Sequence, residues 1–172
     1  MKNSDSCNHT YLAVKTCYDY EQNVAYPHID ALKKKNDTLT DHLSKLNSLV
    51  QLIHREKEKT SKGNKEPIID FSTDPVIMDL VDIVREITLV DIHGQTTSFL
   101  PTGQYKWNGQ SAVDSLINGL ESQSKIIYQK ISPVYMEMQH EFDKKNHIDE
   151  ACSNILRQAN NSHEHTIRNM AK

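Results

Sequence analysis

The sequence predicts an all-α fold: an elongated antiparallel helical bundle or coiled-coil hairpin, with one irregular loop at about 91–109 that leaves room for a small β-hairpin. Three observations carry this expectation. Ile29, Leu32, Asn36, Leu39, Leu43, Leu46, Val50 and Ile53 follow one another in alternating steps of three and four residues. That spacing keeps one stripe on one side of a helix, where only another helix can cover it. Only 5 Gly and 5 Pro punctuate the 172 residues, which favours a few long elements over many short ones. Hydrophobic residues make up 37% and charged residues 25%, with a mean hydropathy of −0.66, a balance suited to helices with narrow apolar stripes. At this length one domain with a single core is expected.

Residues 1–10 are polar and are expected to be disordered, leaving 11–172 as a single helical domain. Tyr11, Val14, Tyr18 and Ala25 lie loosely at helical spacing and mark a short helix over 11–26. Pro27 marks its boundary, because the residue before a proline is biased out of helical geometry and proline itself suits a first helical turn. The heptad helix runs from about 28 to 59. It stops at a linker over 60–73, where Gly63, Asn64 and Pro67 supply a left-handed cap and a residue that cannot continue the helix.

A helix over 74–90 follows, with Asp74 placed to accept the first free backbone amides and Pro75 in the first turn. Val76, Ile77, Leu80, Val81, Val84 and Ile87 give it a wide apolar face, expected to be the most deeply buried in the chain; the density of β-branched residues leaves 87–92 open to a strand. Gly94, Pro101, Gly103 and Gly109 define the loop at 91–109, where 96–100 and 104–107 are the candidate hairpin strands around a Pro101–Thr102–Gly103 turn. Helical periodicity resumes at Gln110 and continues to about 170, with a break or kink expected near Pro133.

Composition narrows the function classes. A net charge of −3 and a pI near 6.3 give no general attraction to nucleic acid or anionic membrane. Charge is uneven, with nine Lys or Arg against six acids over 29–66 and two against six over 67–109. That asymmetry suits orientation of two segments or two molecules, although solvated helix faces account for it as well. No stretch approaches the roughly 18–20 apolar residues that span a bilayer. Cys7, Cys17 and Cys152 are odd in number and lack CxxC spacing, so they indicate neither a disulfide framework nor a zinc knuckle, and a reducing compartment is the simplest reading. The start MKNSDSCNHT has no apolar run of the secretory kind. A cytoplasmic location is expected, with signal-peptide-independent export as the alternative.

The expected function is therefore protein–protein association, by self-association or as an adaptor, chaperone or structural subunit of a larger assembly. An accessory or secreted component of a bacterial secretion system is an alternative, by analogy of size and helix content. The candidate interaction residues are the eight heptad positions together with Tyr105 and Trp107, aromatics that either pin their loop to the core or present a contact. Asn36 interrupts the apolar seam, where a buried amide fixes register if it finds a partner, and is simply exposed if the seam is frayed beside Lys33–Lys35. A helical-bundle metalloprotein is the enzymatic alternative, because Glu137 and His140 form a Glu-x-x-His pair on one helix face. The second such pair that a dinuclear site needs is missing from the sequence, and His163 and His165 point to opposite sides of a helix. No cofactor, catalytic residue or metal ligand is assigned, and the scattered single glycines build no phosphate loop.

Overall fold

A computed structural model describes residues 3–61, 66–88 and 99–170. Among these residues the fold is all-α apart from one small sheet, with helices α1 (Asn3–Tyr20), α2 (Tyr26–Thr60), α3 (Pro75–Thr88) and α4 (Gln110–Met170). A five-residue π-helical turn, Glu21–Ala25, joins α1 to α2, and strands β1 (Ile68–Asp70) and β2 (Lys106–Asn108) form the sheet. Contacts divide the chain into two compact units where the sequence predicts one domain: Asn36–Pro133, and Met1–Lys35 together with Val134–Lys172.

The unit at 36–133 holds the main hydrophobic core. Leu46, Leu49 and Ile53 of α2 pack with Val113, Leu116, Ile117, Leu120 and Ile127 of α4, all at most 6% exposed. Lys57 pairs with Asp114 at 2.8 Å and His54 faces Glu121 at 3.9 Å, so the two helices run antiparallel here. Leu39, Leu43 and Val50 are half-buried against this cluster, and Leu49, outside the heptad register, is among its most buried members. The stripe swings toward Leu49 because a straight helix advances at 3.6 residues per turn and drifts from a strict seven-residue repeat.

α3 closes another side of the core. Asp74 accepts the amides of Val76 and Ile77 at 3.0 and 3.3 Å, the expected cap. Val81 and Val84 are fully buried, Ile77, Leu80 and Ile87 partly so, while Val76 points to solvent at 77% exposure. Residues 87 and 88 are helical; the remainder of the strand alternative at 87–92 lies outside the described residues.

The small sheet is present with a different partner from the one the sequence predicts. β2 pairs antiparallel with β1, in the register Ile68 with Asn108, Ile69 with Trp107 and Asp70 with Lys106. Of the expected partner segment at 96–100, residues 96–98 lie outside the described residues, and Phe99 and Leu100 form a bend. The Pro101–Gln104 turn forms as expected, with Gly103 at a φ of 73° that a side chain would disfavour. Ile69 and Trp107 are buried opposite each other, so the ribbon gains apolar burial that a local hairpin would lack. The amide of Gly109 donates to the Pro67 carbonyl and extends the ladder.

Three further expectations change. Helix α1 begins at Asn3, inside the segment predicted to be disordered, because extending a formed helix adds one hydrogen bond for each residue ordered. Pro27 does not end a helix: the Tyr26 amide reaches back to the Glu21 carbonyl in the π turn, and the helical backbone runs on through the proline just after that turn widens the ladder. α4 continues through Pro133 as one helix of 61 residues, so of the break or kink expected there only the break is ruled out. Within a helix this proline removes one donor, which leaves the Gln129 carbonyl without its helical partner. No helix among the described residues is long and apolar enough to cross a membrane.

Two outcomes test this packing. Leu46→Ala is expected to cost about 2–5 kcal/mol in urea unfolding and half-buried Leu43→Ala clearly less, equal losses being the adverse result. Gly119→Ala should cost about 1–3 kcal/mol, because the Phe99 ring occupies the space of the new methyl group. A third concerns pH. The Ser72 hydroxyl and Lys106 hold the Asp70 carboxyl down from 3.8 to about 2. Its contribution to stability is present above the ordinary value and is lost as pH falls through the lowered one. Asp70→Asn should flatten the acid limb of stability between 3.8 and about 2, and an NMR titration midpoint for Asp70 at its ordinary value would contradict the assignment.

Candidate interaction face

The second unit sets α1, the π turn and the first residues of α2 against the C-terminal part of α4. Lys145 is its polar hub: its ammonium lies 2.6 Å from Asp149 and 4.0 Å from Glu21, and 5.4 Å over the Tyr26 ring. Lys144 sits 5.4 Å over Tyr20. His28 lies 3.7 Å from both Glu137 and Glu141. Partner numbers fall along α4 as they rise from Glu21 to His28, so the segments are antiparallel.

Electrostatics at the hub are asymmetric. A hydrogen bond to Asp149, then burial, then the Asp149 charge raise the Glu21 pKa, against the pull of Lys145. The same hydrogen bond, with that from Lys145, lowers the pKa of Asp149. Glu21 thus holds its proton more tightly in the folded chain than in the unfolded one.

Apolar burial in this unit is sparse. Among the described residues only Ala25, Ile29, Leu32 and Val134, four of eighteen buried apolar residues, belong to it. It carries ten of the fourteen large apolar residues that are exposed. Tyr11, Leu12 and Tyr18 stand out on α1, at 66%, 59% and 61% exposure. Tyr135, Met136 and Phe142 are exposed on α4. Tyr11 and Tyr18 are seven residues apart, as are Tyr135 and Phe142, which puts each pair on one face two turns apart. Single exposed apolar residues are ordinary on any surface, whereas their concentration beside a thin core is not.

The sequence-predicted site residues are placed otherwise. Ile29, Leu32, Leu46 and Ile53 are buried, and Leu39, Leu43 and Val50 half-buried against the core of this same chain. The heptad seam is covered without a second molecule. Asn36 is half-buried, and its Oδ1 is inaccessible and accepts no hydrogen bond among the described residues. Trp107 packs edge-to-face on Phe71 at 6.4 Å and is 4% exposed, which removes its indole from any docking surface. Tyr105 donates its hydroxyl to Asp82 at 2.9 Å, and the Arg85 guanidinium lies 5.4 Å over its ring. Arg85 also pairs with Asp82 and donates to the Gln104 carbonyl at 3.1 Å, so both aromatics pin the loop.

Sequence reasoning passed over the tyrosines of α1 as loose helix spacing. Their seven-residue repeat was the available signal. For the metalloprotein alternative, Glu137 faces His28, His140 is exposed, and no group of three or more His, Cys, Asp or Glu among the described residues is arranged to hold a metal ion. No family model, curated protein or solved structure matches this chain.

The carboxyl pair makes a testable statement. A raised pKa in the folded state means that the stabilisation belongs to the protonated acid and is lost as pH rises. Glu21→Gln keeps a hydrogen-bond donor toward Asp149 without the second charge. Its thermal midpoint should exceed that of the parent chain at pH 8 by more than at pH 4, and an equal difference at both would argue against the raised Glu21 pKa.

Proposed function

We propose that this chain is a non-enzymatic protein–protein interaction module, an adaptor, chaperone or structural subunit of a larger assembly. Its docking face is the exposed apolar set on α1 and the C-terminal part of α4. One observation carries the reading: the unit built from the two ends of the sequence buries few apolar side chains and exposes most of the large ones. Tyrosine supports it further, because this side chain is enriched at interfaces, offering a large apolar ring and a polar tip at low entropic cost. The heptad stripe on which an oligomer reading first rests is occupied within the chain. Any self-association therefore falls to the exposed set.

Photocrosslinking tests this directly. A photoreactive residue at Tyr11, Tyr18 or Met136 should give discrete adducts, to another protein or to a second copy. The same residue at exposed Val76, in the other unit, should give none. Leu12→Ser with Tyr18→Ser should abolish adducts from Tyr11 while leaving the circular dichroism of the chain unchanged. Adducts of equal yield from Val76, or none from the three test positions, would sink the proposal. Solution mass across concentrations then separates self-association from docking on a different protein.

A further inference from the structure

The antiparallel face of the second unit contains one pair that neither the ion pairs nor the docking proposal uses. Cys17 precedes Glu21 by four residues, and Cys152 follows Asp149 by three. Each cysteine therefore lies one turn beyond a carboxylate, on the same helix face as that carboxylate. Glu21 and Asp149 share a hydrogen bond, Lys145 reaches Glu21 at 4.0 Å, and His28 meets Glu141 at 3.7 Å. Continuing that register by one turn sets the two cysteines opposite each other, near enough for Cys17 to raise the Cys152 pKa. Both side chains are half-buried and reduced. Helices that pack with axes about 8–10 Å apart, each with Cα atoms about 2.3 Å from its axis, bring facing Cα atoms to about 3.4–5.4 Å, overlapping the roughly 4.4–6.8 Å range of a disulfide.

We propose that Cys17 and Cys152 are a redox site, which closes to an intramolecular disulfide and staples α1 to the C-terminal part of α4 when the chain meets an oxidising low-molecular-weight disulfide. With oxidised glutathione, the thiolate of one cysteine attacks a glutathione sulfur. The glutathione S–S bond breaks, and a mixed disulfide forms as one glutathione thiolate leaves. The second cysteine attacks the protein sulfur of that mixed disulfide and expels the other glutathione. Two protein thiols lose two electrons, one glutathione disulfide gains them, and the two thiol protons end on the two glutathiones.

Surroundings set the rate of this exchange. The hydrogen bond with Cys17, burial, and the charges of Cys17, Glu21 and Asp149 push the Cys152 thiol up to about 11. Lys145, on the far side of the two carboxylates, is engaged by Asp149 and Glu21. Cys152 is therefore a slow attacking thiol near neutrality, and closure through it speeds up as pH rises. The closed form would hold in place the helix that presents Tyr11, Leu12 and Tyr18. Closure itself requires no docking partner, so the redox site and the docking face stand or fall separately.

The test uses the full chain with excess oxidised glutathione at pH 8.5, followed by tryptic mass mapping without reductant. Trypsin places the three cysteines in three peptides, 3–15, 16–33 and 146–157. The expected product is 16–33 joined to 146–157, in a monomer that is lighter by about 2 Da and has one titratable thiol in place of three. Its thermal midpoint should rise by roughly 5–15 °C and return on treatment with dithiothreitol. Cys7→Ser should keep the cross-link, and Cys17→Ser or Cys152→Ser should lose it. The linked peptides are read in the parent chain, so poor folding of a variant leaves the outcome decisive. Bonds through Cys7, glutathione adducts without closure, dimers alone, or three thiols still free would each overturn the proposal.

Discussion

The antiparallel apposition of α2 and α4 within 36–133 is the constraint on which this structure depends. Leu46, Leu49 and Ile53 from one helix and Val113, Leu116 and Leu120 from the other are almost wholly withdrawn from water. Each such side chain contributes about 1.5–3 kcal/mol of transfer free energy, far more than the half-exposed ion pairs at the rim. Lys57 and Asp114 add geometry more than energy, marking which turns face each other. α3 and the ribbon depend on this pair because neither holds enough apolar surface to stand alone. Val81 and Val84, with Ile69 and Trp107, complete the enclosure from the remaining sides.

The other unit is organised on a different principle. Few apolar side chains are buried there, and the antiparallel register is held by Lys145, Glu21 and Asp149 and by His28 between two glutamates. Polar contacts of this sort are directional and modest in net energy, so they define an alignment without supplying a deep well. Segments with thin apolar burial occupy the low end of local stability, and proteins draw binding and switching elements from that end. The exposed tyrosines and the facing thiols both sit on this scaffold.

The contrast bears on where the candidate residues lie in the fold. A heptad stripe reports that a helix is to be covered, and says nothing of which surface covers it. Here Leu46 and Ile53 meet α3 and α4 of the same chain, so the strongest pattern in the sequence marks the core. Trp107 and Tyr105 were conspicuous as aromatics in a turn-rich loop, yet Ile69 and Arg85, distant along the chain, decide that both face inward. Nothing local to the loop names those partners. Arg85 itself reads as a solvated charge on an amphipathic helix until Asp82, Tyr105 and the Gln104 carbonyl surround it.

Local and periodic features were legible in the residues alone: the all-α class, the Asp74 cap with Pro75 in the first turn, the Pro101–Gln104 turn and the buried stripe of α2. Backbone preferences and the 3.6-residue repeat act over a few residues, and the order of side chains expresses them directly. Tertiary structure decided the partner of β2, the uninterrupted helix through Pro133, the division into two units and the meeting of Cys17 with Cys152. Each of these turns on contacts between segments far apart in the chain. Their energies depend on which surfaces happen to be left uncovered when long helices fold back, and the spacing along a single helix does not contain that information.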